Sequence, residues 1–307
     1  MSLLLPKIVC LMGPTASGKT DLAFAIAQHH DVEIINVDST LVYRGLDIGT
    51  AKPTPAELAS VPHHLIDIQD PAEAYSAAQF CSDALKCIED ILSRGKLPLL
   101  VGGTMMYFRA LQDGLAAMPS ADSATRAELL TQIQTEGLAS LYAELQNIDP
   151  IAASRIKPTD SQRIQRAIEV FRLTGKSLTA WCDEQSVQTL PYQIINIALV
   201  PEDRSLLHER IAIRFNKMIK KGFLDEVERL YSRPDLHSDL PAMRAVGYRQ
   251  AWEYLAGCSS YDVMCERSIF ATRQLAKRQL TWIRGWQDVQ LFNCEAVDLV
   301  QHVLMVL

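Results

Sequence analysis

The stretch that most constrains this chain is "KIVCLMGPTASGKT", Lys7 to Thr20. An apolar strand pattern, "KIVCLM", runs into a loop with the spacing G-x-x-x-x-G-K-T and then into a helical pattern. Strand, loop and helix in that order are the context a phosphate-binding loop requires. The loop is Gly13, Pro14, Thr15, Ala16, Ser17, Gly18, Lys19 and Thr20. Its glycines let the backbone wrap phosphate oxygens, and its amides and the following helix N-terminus attract negative charge. Lys19 adds a full positive charge, and the Thr20 hydroxyl can ligate Mg2+. A loop of this kind holds linked phosphates but does not choose the chemistry done on them.

The first third of the chain continues the alternation. "VEIINVD" reads as a strand, "AQFCSDALKCIEDILSRG" as an amphipathic helix closed by Gly95, and "LPLLVGG" as another strand. Continuous apolar strands alternating with helices predict a parallel sheet with helices on both faces. From about Leu115 the pattern turns helical, through "SADSATRAELLTQIQTEGLASLYAELQNIDPIAASRI" and "DSQRIQRAIEVFRLTG". A last strand is expected in "YQIINIALV", followed by four helices, the longest from about Tyr261 to Ile283. The fold class expected is α/β: a P-loop NTPase-like core, an inserted helical domain and a helical C-terminal region. The core is expected over 1–114 and 191–307, and the insertion over 115–190.

Composition narrows the class. No apolar run approaches the ~20 residues of a membrane span. The start, "MSLLLPKIV", has neither a basic region nor a small-residue cleavage site, so no signal peptide is expected. The seven cysteines form no C-x-x-C pair, which reads as thiols in a reducing cytoplasm. Net charge is −6, yet Pro241–Arg284 carries seven basic against three acidic side chains, a local +4 that leaves −10 elsewhere. One basic region on an acidic chain suits a localised anionic partner, or simply a solvated helical surface.

The neighbours of the phosphate loop restrict its use. A GTPase would need N-K-x-D, and the single Asn-Lys pair, Asn216-Lys217, continues into Met218-Ile219. "LPLLVGG" ends in Gly102-Gly103-Thr104 and not in an acid, whereas "EIINVD" ends in Asp38. A motor-type ATPase is disfavoured and a group-transfer enzyme favoured. One option is a P-loop small-molecule kinase, with Asp38 as the acceptor-side base.

Taken together, "GPTASGKT", "DSTLVYRGLDIGTAKPT", "PHHLIDI", "YSAAQF", "PLLVGGTMMYFRALQDGL", "RAVGYRQ" and "ATRQLAKRQLTWIRGW" resemble the tRNA dimethylallyltransferases, also called tRNA isopentenyltransferases. The resemblance runs from about Lys7 to Trp286. It implies transfer of a dimethylallyl group from dimethylallyl diphosphate to the exocyclic amine of the adenosine on the 3′ side of the tRNA anticodon, with release of pyrophosphate. The loop would then hold a prenyl diphosphate, with Mg2+. The absence of the D-D-x-x-D by which many prenyl-transferring enzymes bind Mg-diphosphate agrees with that.

The resemblance also implies roles. Arg214, four residues after Arg210 in "HERIAIRF", becomes a diphosphate ligand. Asp38 becomes the carboxylate that orients the attacking amine and takes its proton. Thr104 is placed near the reacting centre. For tRNA contact it implies Asp38, Ser39, Thr40 and Leu41; Thr104; Gln162, Arg163, Ile164, Gln165 and Arg166; Arg244, Ala245, Val246, Gly247, Tyr248 and Arg249; and Lys277, Arg278, Gln279, Leu280, Thr281, Trp282, Ile283 and Arg284, with Arg126 from the insertion. Leu41 stands where the family usually has an amide side chain. The partner expected is the anticodon stem-loop of tRNA, with no membrane and a monomeric enzyme. His63-His64 lacks the further ligands of a metal site, and Trp252, Trp282 and Trp286 suit core or base-stacking roles alike.

Overall fold

The computed structural model describes residues 5–116, 118–184 and 190–307. Positions 117 and 185–189, expected within the helical insertion, lie outside the described residues. The chain divides into two compact units, Met1–Ala110 with Leu190–Leu307, and Leu111–Thr189.

The first unit begins with β1 (Lys7–Met12), buried from Ile8 onward, the phosphate loop and α1 (Lys19–Ala27). β2 (Val32–Val37) is buried throughout, because its neighbours and covering helices leave no face to water. α2 (Pro55–Ser60) opens on a capping box from Thr54 and Glu57. β3 (His63–His64) is two residues long. α3 (Ala77–Ser93) starts on a second capping box, Ser76 with Gln79, and buries Phe80, Ala84, Ile88 and Ile91 at spacings of three and four. β4 (Leu97–Gly102) follows, then α4 (Met105–Asp113).

The second unit is helical. α5 (Ser123–Glu136), α6 (Leu138–Ile148), α7 (Pro150–Arg155), α8 (Ser161–Thr174) and α9 (Leu178–Asp183) enclose a core of Leu129, Leu141, Leu145, Ile164 and Ile168. Gly175 ends α8 in the left-handed conformation at φ 70°, a C-terminal stop that only glycine adopts without strain.

The chain returns to the first unit as β5 (Gln193–Val200), α10 (Arg204–Lys220), α11 (Phe223–Tyr231), α12 (Tyr248–Leu255) and α13 (Tyr261–Arg284). β6 (Val289–Asn293) and α14 (Leu299–Leu304) close it. β6 corrects the expectation that β5 is the last strand. It lies at the sheet edge with none of its side chains fully buried, so its sequence lacks the apolar run of a central strand. The sheet order is β3-β2-β4-β1-β5-β6, with every pairing parallel. All strand carboxyl ends therefore share one edge, where sheets of this class place ligands. Val9, Leu11, Ile26, Ile34, Leu99 and Ile197 pack into the core that fixes that edge. Among the described residues no helix is long and apolar enough to cross a membrane.

Candidate active site

At the carboxyl edge of the first unit lies a cavity of about 560 Å³. It is lined by Lys19 and Thr20 from the phosphate loop, Asp38 to Leu41 after β2, Gly102 to Thr104 after β4, and Arg214 from α10. Arg244 to Tyr248, Arg278, Gln279 and Trp282 complete its wall. Residues far apart in sequence are thus gathered by the parallel sheet and the helices beyond it.

The loop has the backbone its spacing requires. Gly18 sits at φ 84° and Ala16 at φ 63°. A non-glycine residue held left-handed costs about 1–3 kcal/mol and marks a site where geometry outranks comfort. A Cβ on Gly13 would stand 2.7 Å from Ser17 Oγ. That hydroxyl is buried with no hydrogen-bond partner, a polar group left over for something the loop encloses. Lys19 Nζ donates to the carbonyls of Gly13 (2.9 Å) and Pro14 (2.7 Å). Burial, and next the nearby Arg214 charge, lower its pKa to about 8, with Asp38 opposing. Burial likewise lowers Arg214, whose Nη2 donates to the Thr50 carbonyl at 3.2 Å. Two cations share one recessed space, both disfavoured by burial and Lys19 also by Arg214, an arrangement a polyanion would relieve. Arg210, on the same helix, turns instead to Cys294 and Glu295.

The facing ledge is built from two strand ends. A Cβ on Gly102 would lie 2.0 Å from the Val37 carbonyl oxygen, so only glycine allows β4 and β2 to end this close. Thr104 Oγ1 accepts the Ser39 N–H at 3.0 Å. Asp38 Oδ1 accepts from Thr40 N (2.9 Å) and Thr40 Oγ1 (2.6 Å). Asn36 Nδ2 donates to the Asp38 and Leu65 carbonyls, fixing the turn from below. Asp38 forms no ion pair among the described residues, so its carboxylate is oriented and not neutralised.

The stretches expected to contact tRNA divide by helical face. Arg163, Arg244, Arg249, Lys277, Arg278, Thr281, Trp282 and Arg284 are exposed, as is Gln162. Ile164, Gly247, Tyr248, Gln279, Leu280 and Ile283 are buried, because every third or fourth position of each helix faces the interior. Lys277, Arg278 and Arg284 form no ion pair among the described residues, whereas Arg249 pairs with Glu253 and Arg244 with Asp239. In the second unit, Arg126 and Arg166 both bind the buried Glu169, at 2.9 and 2.8 Å, and Arg163 pairs with Asp160. Burial would raise Glu169, but hydrogen bonds from Arg126 and Arg166 hold it below the usual carboxylate range.

Glu226 on α11 is absent from the expectations, and it braces the cavity wall from behind through Gly49 and Tyr248. Its buried carboxylate accepts the N–H groups of Asp47 (3.1 Å), Ile48 (2.7 Å) and Gly49 (3.1 Å), and the Tyr248 hydroxyl (2.5 Å). That loop carries Thr50, whose carbonyl holds Arg214. A signal existed: Glu226 sits on the stripe of Phe223, Val227 and Leu230 that α11 buries. The histidine pair serves structure, with His63 against the Val61 carbonyl and His64 on Glu33. Among the described residues no group of three His, Cys, Asp or Glu could hold a metal ion.

A family profile for IPP transferases matches residues 41–286. The chain belongs to the IPP transferase family. It is a prenyl-transferring enzyme, which sets the kinase alternative aside. The full-length tRNA isopentenylpyrophosphate transferase of Bacillus halodurans is 37% identical, covering 98% of this chain and 94% of that one, with a TM-score of 0.71. The Staphylococcus epidermidis tRNA isopentenylpyrophosphate transferase is 32% identical, covering 98% of each chain, with a TM-score of 0.69. A eukaryotic dimethylallyltransferase acting on tRNA has a TM-score of 0.78 at 27% identity, covering 98% of this chain and 78% of that one. In this IPP transferase the phosphate loop, Asp38, Thr104 and Arg214 therefore lie on the fold those enzymes share.

Proposed function

We propose that this IPP transferase moves a dimethylallyl group from dimethylallyl diphosphate to the N6 amine of the adenosine 3′-adjacent to the anticodon in tRNA. Prenylation of tRNA agrees with the family and with the named activities of the similar structures. The finer reading rests on one observation: the phosphate-loop Lys19 and the α10 Arg214, two buried cations, share a cavity with the oriented carboxylate of Asp38.

The chemistry follows from that pairing. The N6–C1 bond forms as the allylic C1–O bond breaks, and pyrophosphate leaves with the electron pair. Loop amides, Lys19 and Arg214 receive the growing charge. Asp38 orients the amine and accepts its proton. Thr104 holds the Asp38 turn through Ser39 and stands where it can touch either reactant. Mg2+ fits a site with one oxygen ligand, the hydroxyl of Thr20 on the cavity lining, because it takes its remaining ligands from phosphate and water and needs no protein cage. When bound, it would help neutralise the pyrophosphate.

A base buried in a stack cannot reach such a recess, so the adenosine is flipped out of the anticodon loop, where unstacking costs least. The exposed Lys277, Arg278 and Arg284 would meet tRNA phosphates, with Arg163, Arg244 and Arg249 beside the other matched stretches. The same reading takes the enzyme to work as a monomer in the cytoplasm, where its seven cysteines, none in a C-x-x-C pair, suit a reducing compartment. Incubation with unmodified tRNA and labelled dimethylallyl diphosphate, without ATP, should place label in tRNA. ATP-dependent phosphorylation of a small metabolite, with unlabelled tRNA, would overturn the proposal.

A further inference from the structure

Gln279 is seven per cent exposed, on the inner stripe of α13, and its amide is used at both ends. Oε1 accepts the Thr15 N–H of the phosphate loop at 2.9 Å, and Nε2 donates to the Gly103 carbonyl at 2.9 Å. Turning the amide over would set donor against donor and acceptor against acceptor, so the partners fix its orientation. A Cβ on Gly103 would fall 2.3 Å from Nε2, which leaves the amide no slack on that side. From Gly103 the connection continues through Thr104 Oγ1 to the Ser39 N–H, one residue from Asp38. A single side chain therefore spans the gap between the phosphate loop and the ledge that carries the acid.

We propose that Gln279 is a positioning residue that sets the separation between the donor's diphosphate and the acceptor amine, and not a tRNA contact. The proposal rests on the reading of the loop as the diphosphate site. Displacement requires nucleophile, C1 and leaving oxygen in line, and a misplacement of about 1 Å costs roughly 10²-fold in rate. The loop keeps its own supports without Gln279: β1, α1, the Ser17 N–H to the Pro14 carbonyl, and Lys19. Loss of the amide should therefore spare diphosphate affinity and damage turnover.

The test is steady-state transfer from dimethylallyl diphosphate to unmodified tRNA by wild type, Gln279→Leu and Gln279→Glu, with melting temperatures and inorganic pyrophosphate affinity measured alongside. Gln279→Leu should lower kcat by about 10–10²-fold, with both KM values and pyrophosphate affinity within about threefold of wild type. In Gln279→Glu, the protonated acid can still donate to Gly103 and accept from Thr15, whereas the carboxylate cannot donate. Its kcat relative to wild type should rise as pH falls. Retained kcat in Gln279→Leu, or a raised KM for tRNA with kcat intact, would overturn the proposal. If Gln279→Leu loses cooperative melting, the pH ratio of the isosteric Gln279→Glu decides, and a flat ratio counts against the strut. Lys19→Ala separates the two readings: full transfer by that variant would sink the diphosphate site itself, whereas its inactivity beside active Gln279 variants would sink only the strut.

Discussion

Strand β2 carries an acid near each end, and the two have opposite surroundings. Glu33, at the amino edge, is buried and ringed by two cations and an imidazole: Arg94 Nη2 and His64 Nε2 both at 2.7 Å, and Lys96 Nζ at 3.3 Å. Burial would push it up, yet hydrogen bonds from Arg94, His64 and Lys96 bring it to about 2. Asp38, one residue past the carboxyl end, forms no ion pair among the described residues, accepts hydrogen bonds from Thr40 and opens into the cavity. A carboxylate held on all sides by the protein's own donors serves the fold; one oriented by a neighbouring threonine and open to a cavity is left to meet a substrate.

Each contrast can be broken by measurement. The largest effect is expected at Asp38. Asp38→Ala should lower turnover by roughly 10²–10⁴, the usual worth of a positioned base, with melting temperature and tRNA affinity nearly kept. A variant with wild-type turnover would erase the contrast. Glu33→Ala should do the converse, losing about 1–3 kcal/mol of stability with kcat unchanged in the folded fraction, as read by denaturant titration.

The pH dependence sharpens the same comparison. Because Glu33 sits at about 2 when folded and near 4.5 when not, its contribution is whole above 4.5 and fades as pH falls toward 2. Glu33→Gln should flatten that acid limb. At the other edge Lys19, near 8, must be protonated to serve an anion. Pyrophosphate affinity measured by calorimetry should weaken as pH rises past 8, by at most about tenfold per unit. The smallest effect belongs to the exposed basic face. Arg284→Ala should reduce the slope of log tRNA affinity against log salt by about 1, leaving kcat at saturating tRNA unchanged.

What could be read in the sequence was what local chemistry dictates. The loop from Gly13 to Thr20 and the strands β1, β2, β4 and β5 announce themselves through contiguous residues. Asp38 and Thr104 were visible as strand-end groups, because a parallel sheet puts such ends together. β6 was hidden, since an edge strand needs little apolar surface. The bonds of Gln279 and Glu226 were illegible for one reason: each is a polar residue on a helix's inner stripe, and its partners lie far off in the chain. Gln279 meets Thr15 across 264 positions, and Glu226 meets Gly49 across 177. Periodicity can flag such a residue as inward, but only the folded chain names what it satisfies.

The grip of Glu226 on three successive amides has an evolutionary corollary. Main-chain groups are the same whatever side chain the residue carries, so this grip leaves Ile48 at liberty to drift, while Asp47 is held separately by its ion pair with Lys52. Gly49 is not at liberty, because a Cβ there would lie 2.3 Å from the Phe223 ring and 2.6 Å from that of Tyr248. Across relatives, Gly49, Phe223, Glu226 and Tyr248 should be inherited as a set, and a lineage that alters one of them should carry a compensating change in another.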